Sequence, residues 1–234
     1  MSDPTIQSPA GPADDATGAW QVSLAEIDAM GRKAARGAGF SWGLAEEAGR
    51  AARWLAAYRL PGPEALAAAL TEIDGAVRQY APHIDGALWR SHAGPLCPVA
   101  TGAALSDRAD RIAEGAACAL GPVLHPILVV PFLCRAARDI SCMIAMEGNG
   151  IRLVATAEGP VAFDWRTLQA QARCRLTIGP GFEAFGEPLR PGPEARIVSV
   201  SVWRVLDRFA QRTYVPATEA SRQAGAGAGA GNRD

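Results

Sequence analysis

The chain has almost no excess charge of either sign. Its 23 basic and 24 acidic residues leave a formal net charge of −1 and are spread along the sequence. A surface that holds nucleic acid or rests on an anionic membrane needs a basic patch or stripe, so neither partner is implied. Long apolar runs are also missing. The longest, Val123 to Cys134, is broken by His125, Pro126 and Pro131. It falls short of the roughly 20 residues a helix needs to cross a bilayer, and it reads as buried strand. The first 18 residues carry Asp3, Asp14 and Asp15 but no basic segment followed by an apolar one, so they do not read as a secretory signal.

Chemistry-bearing residues are sparse as well. There are three histidines, His83, His92 and His125, and no Gly-x-Ser-x-Gly accompanies them as in a serine hydrolase. The five cysteines (Cys97, Cys118, Cys134, Cys142 and Cys174) are odd in number and scattered. The spacing of Cys118, His125 and Cys134 matches no closed zinc pattern, so no metal site is expected. Several of these cysteines lie in apolar surroundings, which suits core positions in a reducing compartment, the cytoplasm. The glycine-rich end, Gly225 to Gly231, is followed by no Gly-Lys-Ser/Thr and is not a phosphate loop. A dinucleotide fingerprint fails in the same way, and no cofactor is assigned.

What is present is a chain of 234 residues, 49% apolar, able to bury one sizeable core. Residues 1–20, rich in Pro, Gly, Ser and Asp, are expected to be a disordered lead. Residues 21–224 are expected to form a single α+β domain, and residues 225–234 a Gly/Ala-rich tail. Order begins near Ser23, where Ser23 and Glu26 make a capping-box pattern ahead of Leu24, Ile27, Met30 and Ala34 at helical spacing. Ser41 caps a second helix with an apolar stripe of Leu44, Ala48, Ala51, Ala52 and Leu55. Pro63 opens a third, through Leu66, Leu70, Ile73 and Val77.

Gly86 to Gly102 reads as a long, shaped loop, and Ala104 to Leu120 has room for one helix. Strands are expected at Ile127 to Ala137, Ile140 to Glu147, Ile151 to Ala157 and Ala172 to Ile178. Gly148-Asn149-Gly150 is the clearest hairpin turn. In the last strand Ala172, Cys174, Leu176 and Ile178 face one way while Arg173, Arg175 and Thr177 face the other, as in an antiparallel strand with one wet face. Asp164 to Gln171 is a turn or short helix. Residues 196 to 212 fit both an alternating strand and a helical stripe, and helix is preferred. A further short helix is expected at Thr218 to Arg222. Helices grouped before strands argue α+β: an N-terminal three-helix layer on a mostly antiparallel sheet, with a C-terminal helix on the same side.

Two stretches carry a family likeness: Arg36-Gly37-Ala38-Gly39-Phe40-Ser41-Trp42-Gly43-Leu44-Ala45-Glu46-Glu47-Ala48, and Arg212-Thr213-Tyr214-Val215-Pro216-Ala217-Thr218-Glu219-Ala220-Ser221-Arg222. Together they resemble a proteobacterial family of unknown function, from about Ser23 to the C-terminus, and that resemblance implies no activity. In the family the Gly-Ala run leads to a hydrophobic residue and an acidic end, where this chain has Ala230-Gly231-Asn232-Arg233-Asp234. The departure tells against metal binding by the tail. The opening helices also resemble the start of the malate/lactate dehydrogenases unrelated to Rossmann enzymes, over a stretch too short and alanine-rich to carry a cofactor.

Three constellations are worth placing in space. Arg212, Tyr214, Glu219, Ser221 and Arg222 put guanidinium, phenol, carboxylate and hydroxyl groups before the glycine-rich tail. They could bind an anion, with Tyr214 and Glu219 moving protons, or simply form a capped helix end. Ser41 and Trp42, after Gly37 and Gly39, stand where helix-start amides favour an anion, or they only shape a tight turn with a core aromatic. Cys97, in a proline-flanked loop five residues after His92, is either a reactive thiol or an idle structural cysteine. Two functional readings follow. One is a protein that binds a small anionic metabolite, as a carrier or an enzyme, between the first helix-helix loop and the C-terminal segment. The other is a non-catalytic accessory or interaction protein whose alanine-rich helices pack on a partner or on a second copy. These differ in whether a concave pocket or a large exposed apolar face is found.

Overall fold

The computed structural model describes residues 18–162, 164–181, 183, 186–192 and 195–214. The chain enters through a short strand, β1 (Ala19–Ser23), and turns at once into α1 (Leu24–Gly37). Ser23 closes the turn: its backbone N–H donates to Glu26 Oε2 at 2.7 Å, and its Oγ accepts from the Glu26 N–H at 3.2 Å. This reciprocal pair satisfies two donors that a helix start otherwise leaves open. Ser41 Oγ accepts from the Leu44 N–H to begin α2 (Trp42–Ala57), and α3 (Gly62–Ile73) carries Pro63 in its first turn. The first two helices stand where sequence spacing puts them; the third, expected to continue through Val77 to near Tyr80, ends at Ile73, and Gly75 at φ 70° turns the chain before Val77.

Their alanine content has a packing reason. Gly31, Ala34 and Ala35 of α1 are buried with Ala45, Ala48, Gly49 and Ala52 of α2. A Cβ on Gly49 would lie 2.5 Å from the Asp28 carbonyl oxygen, so the two backbones nearly touch. Only small residues allow that approach, and the close contact replaces the bulk that large side chains would supply.

Beyond α3 come a single turn, α4 (Val77–Tyr80), and a hairpin, β2 (His83–Asp85) and β3 (Leu88–Arg90). Next are α5 (Pro98–Ser106), α6 (Ala109–Ala113) and β4 (Cys118–Leu124). The stretch expected as a long loop is thus a hairpin and a helix start, with Trp89 buried in the core. Three-residue strands carry too few alternations to show in a sequence, and pairing with β4 holds them.

The larger correction concerns Ile127 to Ala137, expected as strand. There β4 ends at Leu124, His125 follows in the left-handed region with φ 39°, and the chain runs through a 3₁₀ turn (Pro126–Val129) into α7 (Val130–Asp139). An apolar run buried on all sides has no period to separate helix from strand. Pro126 and Pro131 fall in first turns, where a missing N–H costs nothing. The strand expected from Ile140 begins only at Ile144, because Ser141, φ 54°, ends the helix in a turn.

From there β5 (Ile144–Gly148), β6 (Ile151–Thr156) and β7 (Gly159–Ala162) make a meander. Then follow α8 (Trp165–Ala170), β8 (Arg173–Pro180), β9 (Ala195–Ser199) and α9 (Val200–Gln211). Asn149, φ 46°, sits at the hairpin turn between β5 and β6. Residues 196–212 prove to be both things their pattern allowed. Five residues are strand, then Ser199 Oγ accepts from the Val202 N–H and starts the helix.

The main sheet runs β2-β3-β4-β8-β5-β6-β7, every neighbouring pair antiparallel except β3–β4. β8 buries Cys174, Leu176 and Ile178 and exposes Arg173, Arg175 and Thr177, as its alternation required. A second, two-stranded sheet pairs β1 with β9, so the ordered chain starts before Ser23. The architecture is α+β. α7 lies against the sheet through β5, β6 and β7, α2 packs across α7 and α5, and α9 lies on α1 and α3. The helix misread as strand is therefore the middle layer, covered on both sides, with Val130 to Cys134, Ala136 and Ala137 all buried. The expected helix at Thr218 to Arg222 and the tail lie outside the described residues.

Candidate functional site

The concave site that gathers most charge lies where α2 crosses α7 under the β6–β7 turn, a cavity of about 290 Å³. α2 lines it with Glu47, Arg50, Arg53, Trp54 and Tyr58, positions three or four apart that share one helix face. α7 adds Pro131, Phe132, Cys134, Arg135 and Arg138, again one stripe, and Thr156, Ala157 and Gly159 close the third side. Four arginines thus face one carboxylate.

That carboxylate organises two of them. Glu47 accepts from Arg50 Nη1 on one oxygen and from Arg135 Nη1 on the other, each at 2.8 Å. Arg50 also reaches Glu46 Oε2 at 3.0 Å. A guanidinium has five donors in a fixed fork, so both arginines are oriented with N–H groups to spare. Arg138 has only a loose partner, Asp139 at 3.8 Å, and among the described residues no carboxylate pairs with Arg53.

An aromatic wall stands between these cations. Trp54 and Tyr58, one turn apart, stack with centroids 4.0 Å apart and planes 22° from parallel. Burial raises the Tyr58 phenol above its ordinary value and the Cys134 sulfur adds to the effect, while the Arg138 and Arg190 charges pull it back. Tyr58 therefore keeps its proton at neutral pH and offers an O–H donor. Burial drives the Cys134 thiol up to about 12, so it is not a thiolate nucleophile.

The site residues expected from the sequence lie elsewhere. The ends of α1 and α9 meet. Lys33 Nζ donates to Tyr214 Oη at 3.2 Å, the Arg36 guanidinium lies 4.4 Å from the Trp42 ring centre, and Arg36 also bonds the Phe40 carbonyl. Arg212, Tyr214 and Trp42 thus stand around one helix end, with Ser41 capping beside them. But both terminal nitrogens of Arg212 are taken by the Asp74 carboxylate, at 2.6 and 3.0 Å, so this arginine already has its anion. Ser41 spends its oxygen on the α2 cap, and Trp42 is 68% exposed rather than in the core. Glu219, Ser221 and Arg222 lie outside the described residues.

Cys97 takes the second of its two readings, the structural one. It is fully buried, its sulfur caps α5 by accepting from the Ala100 N–H, and burial pushes the thiol up to about 11. A sealed thiol that keeps its proton at neutral pH is no nucleophile and serves as a cap. Among the described residues no cluster of three His, Cys, Asp or Glu could hold a metal.

The missed residues had a partial signal. Arg50, Arg53, Trp54 and Tyr58 repeat at helical spacing on a helix read correctly, and they interrupt an otherwise alanine-rich surface. Arg135 and Arg138 were hidden because the segment was read as a strand ending at Ala137, which leaves Arg138 in a connection and gives the two no common face.

Residues 22–93 match the model of a family described as Protein of unknown function (DUF3726). The matched stretch runs from β1 through the β2–β3 hairpin and holds the α2 wall of the cavity, but not α7. It includes the motif at residues 36–48 and stops short of that at 212–222. No curated protein and no solved structure matches the chain. No described helix is long and apolar enough to cross a membrane.

Proposed function

We propose that the protein binds a small anionic metabolite in the cavity between α2 and α7. The observation that carries this is the local charge: four arginines and one carboxylate, Glu47, line the cavity, and even with Glu46 and Asp139, which pair with Arg50 and Arg138, positive charge is in excess in a chain that is otherwise nearly neutral. A concave site of one sign raises the local concentration of the opposite ion. Because Glu47 pins Arg50 and Arg135, their remaining donors are held in place before a ligand arrives, which reduces the ordering cost of binding. Phe132, Pro131 and Trp54 supply apolar contact for the body of the ligand. The five free cysteines, four of them buried, support a reducing compartment such as the bacterial cytoplasm.

Docking through α1–α3 has less support. The large apolar side chains exposed among the described residues are Trp20, Trp42, Ile197 and Tyr214, whereas the interior stripes of the three helices are spent on one another and on α9.

The test is thermal unfolding with inorganic phosphate, sulfate and citrate at low and high salt. Ligand bound only by the folded state raises Tm with concentration. The rise should be smaller in Arg53→Gln and Arg135→Gln and should shrink at high salt. No rise with any of the three anions at low salt would refute the proposal.

A further inference from the structure

Arg173, Arg175 and Thr177, the exposed side chains of β8, stand over a hollow of about 590 Å³ on the outer face of the main sheet. Arg90 of β3 lines the same hollow from the far side of β4. The strand register sets the spacing of these groups. Trp89 lies beside Leu120, which puts Arg90 level with Gly121, and Arg175 lies opposite Pro122. The pairing of β4 with β8 slips between Leu120 and Pro122, so Gly121 is the extra residue of a bulge, a feature that re-aims neighbouring side chains. With strands about 4.8 Å apart, Arg90 and Arg175 flank β4 at about 10 Å between Cα atoms. Gly94, Gly121 and Gly148 also line the hollow and put no side chain into it.

The charges here are unevenly committed. Arg173 is taken by Glu72 at 2.6 Å. Among the described residues neither Arg90 nor Arg175 pairs with a carboxylate. One acid lines the hollow, Glu147, opposite Thr177 and therefore one strand alternation from Arg175. Its other cross-strand neighbour, Arg152, lies outside the hollow and makes no ion pair with it.

We propose that this hollow is a second anion site, which holds a phosphomonoester bearing a hydroxyl group: Arg90 and Arg175 close on the phosphate, and Glu147 and Thr177 accept from the hydroxyl. Two guanidinium forks arriving from either side of β4 offer more N–H donors than the two oxygens of one carboxylate can use, whereas a phosphate ester presents three acceptor oxygens. Glu147 sets the rest of the ligand. It repels a second negative group and rewards a donor placed one strand alternation from the phosphate. The hollow shares no residue with the cavity between α2 and α7, so the two sites stand or fall separately.

Two probes separate the features: methyl phosphate has the anion and no hydroxyl, and glycerol 3-phosphate has both. Calorimetric titration is done on the full chain carrying Arg53→Gln/Arg138→Gln, which weakens the α2–α7 cavity. Glycerol 3-phosphate should bind about tenfold tighter than methyl phosphate, the effect of one hydrogen bond to a charged group. Adding Arg90→Gln and Arg175→Gln should weaken both esters by about tenfold or more. Glu147→Ala should instead tighten methyl phosphate and erase the lead of glycerol 3-phosphate. All five positions are exposed, so folding should survive, and circular dichroism checks it. If the esters bind the unaltered chain but are lost with Arg53→Gln/Arg138→Gln alone, the α2–α7 cavity is their site and the sheet site is refuted. If they bind and Arg90→Gln/Arg175→Gln changes nothing, or if neither ester binds, the sheet site is refuted as well. A lead for glycerol 3-phosphate that survives Glu147→Ala overturns the hydroxyl-bearing class.

Discussion

Gly37 is the residue on which the junction of α1 and α9 depends. A Cβ placed there would overlap the Phe209 carbonyl oxygen and lie 2.6 Å from its carbon, with Arg212 Cβ at 3.4 Å. Ordinary carbon-carbon contact is about 3.5–4.0 Å, so Gly37→Ala requires the helices to part by roughly 1 Å. The obstacle is backbone, which cannot rotate away. A gap of 0.5–1 Å forfeits about a quarter to a half of the contact energy across it. Leu206 and Phe209, both buried, are worth about 1.5–3 kcal/mol each when covered. With the α1 surface they rest on, the loss is about 2–4 kcal/mol. Alanine returns about 0.5–1 kcal/mol through lower unfolded-chain entropy, leaving a net destabilisation of about 2 kcal/mol. With a urea dependence of about 2 kcal/mol per molar, the unfolding midpoint should fall by about 1 M. Gly43→Ala is the control, because nothing lies within 4 Å of the added carbon in the first turn of α2. It should raise the midpoint slightly. If Gly37→Ala raises it too, the close contact between α1 and α9 does not exist.

Further outcomes follow from the same structure. Arg212→Ala should change phosphate and citrate binding by less than about twofold, since its guanidinium is committed to Asp74 outside the cavity; a loss of about tenfold would return the site to the α1–α9 end. A thiol reagent at pH 8 should label Cys142 quickly and the four buried cysteines only on unfolding, read by mass spectrometry; fast labelling of Cys97 would refute its structural assignment. Stability should also fall as pH rises from about 9 to about 11. The folded state holds the protons of Cys97 and Cys118 up to about 11, whereas the unfolded thiols release theirs near 9.0, so the unfolded state binds fewer protons across that window. Urea midpoints across this range should show the decline, and Cys97→Ala should flatten part of it.

Local physics was enough for several elements. Ser23 with Glu26, Ser41, and Pro63 mark helix starts because caps act within one turn. The Gly148–Gly150 turn and the alternation of Arg173 to Ile178 declare their strands because a half-buried strand must alternate. The same reasoning fails where burial is two-sided. Val130 to Ala137 is covered by α2 and by the sheet except at Arg135, so one polar position inside the apolar run was too little to reveal a period of 3.6. Ending that segment at Ala137 also separated Arg135 from Arg138, whose shared face exists only on the helix that continues to Asp139.

By itself, then, the amino-acid order determined the fold class, the starts of the three opening helices, the β5–β6 hairpin, the wet face of β8, and the near-neutral net charge. Tertiary structure alone decided that β1 pairs with β9 across the length of the domain, that Cys97 is sealed in the core, and that Arg212 is neutralised by Asp74. It also decided the cavity, because Glu47 meets Arg135 across 88 residues of sequence. Caps and periods are set by neighbours within a turn or two. The partner of a charge and the cover on an apolar run are set by which distant elements pack together.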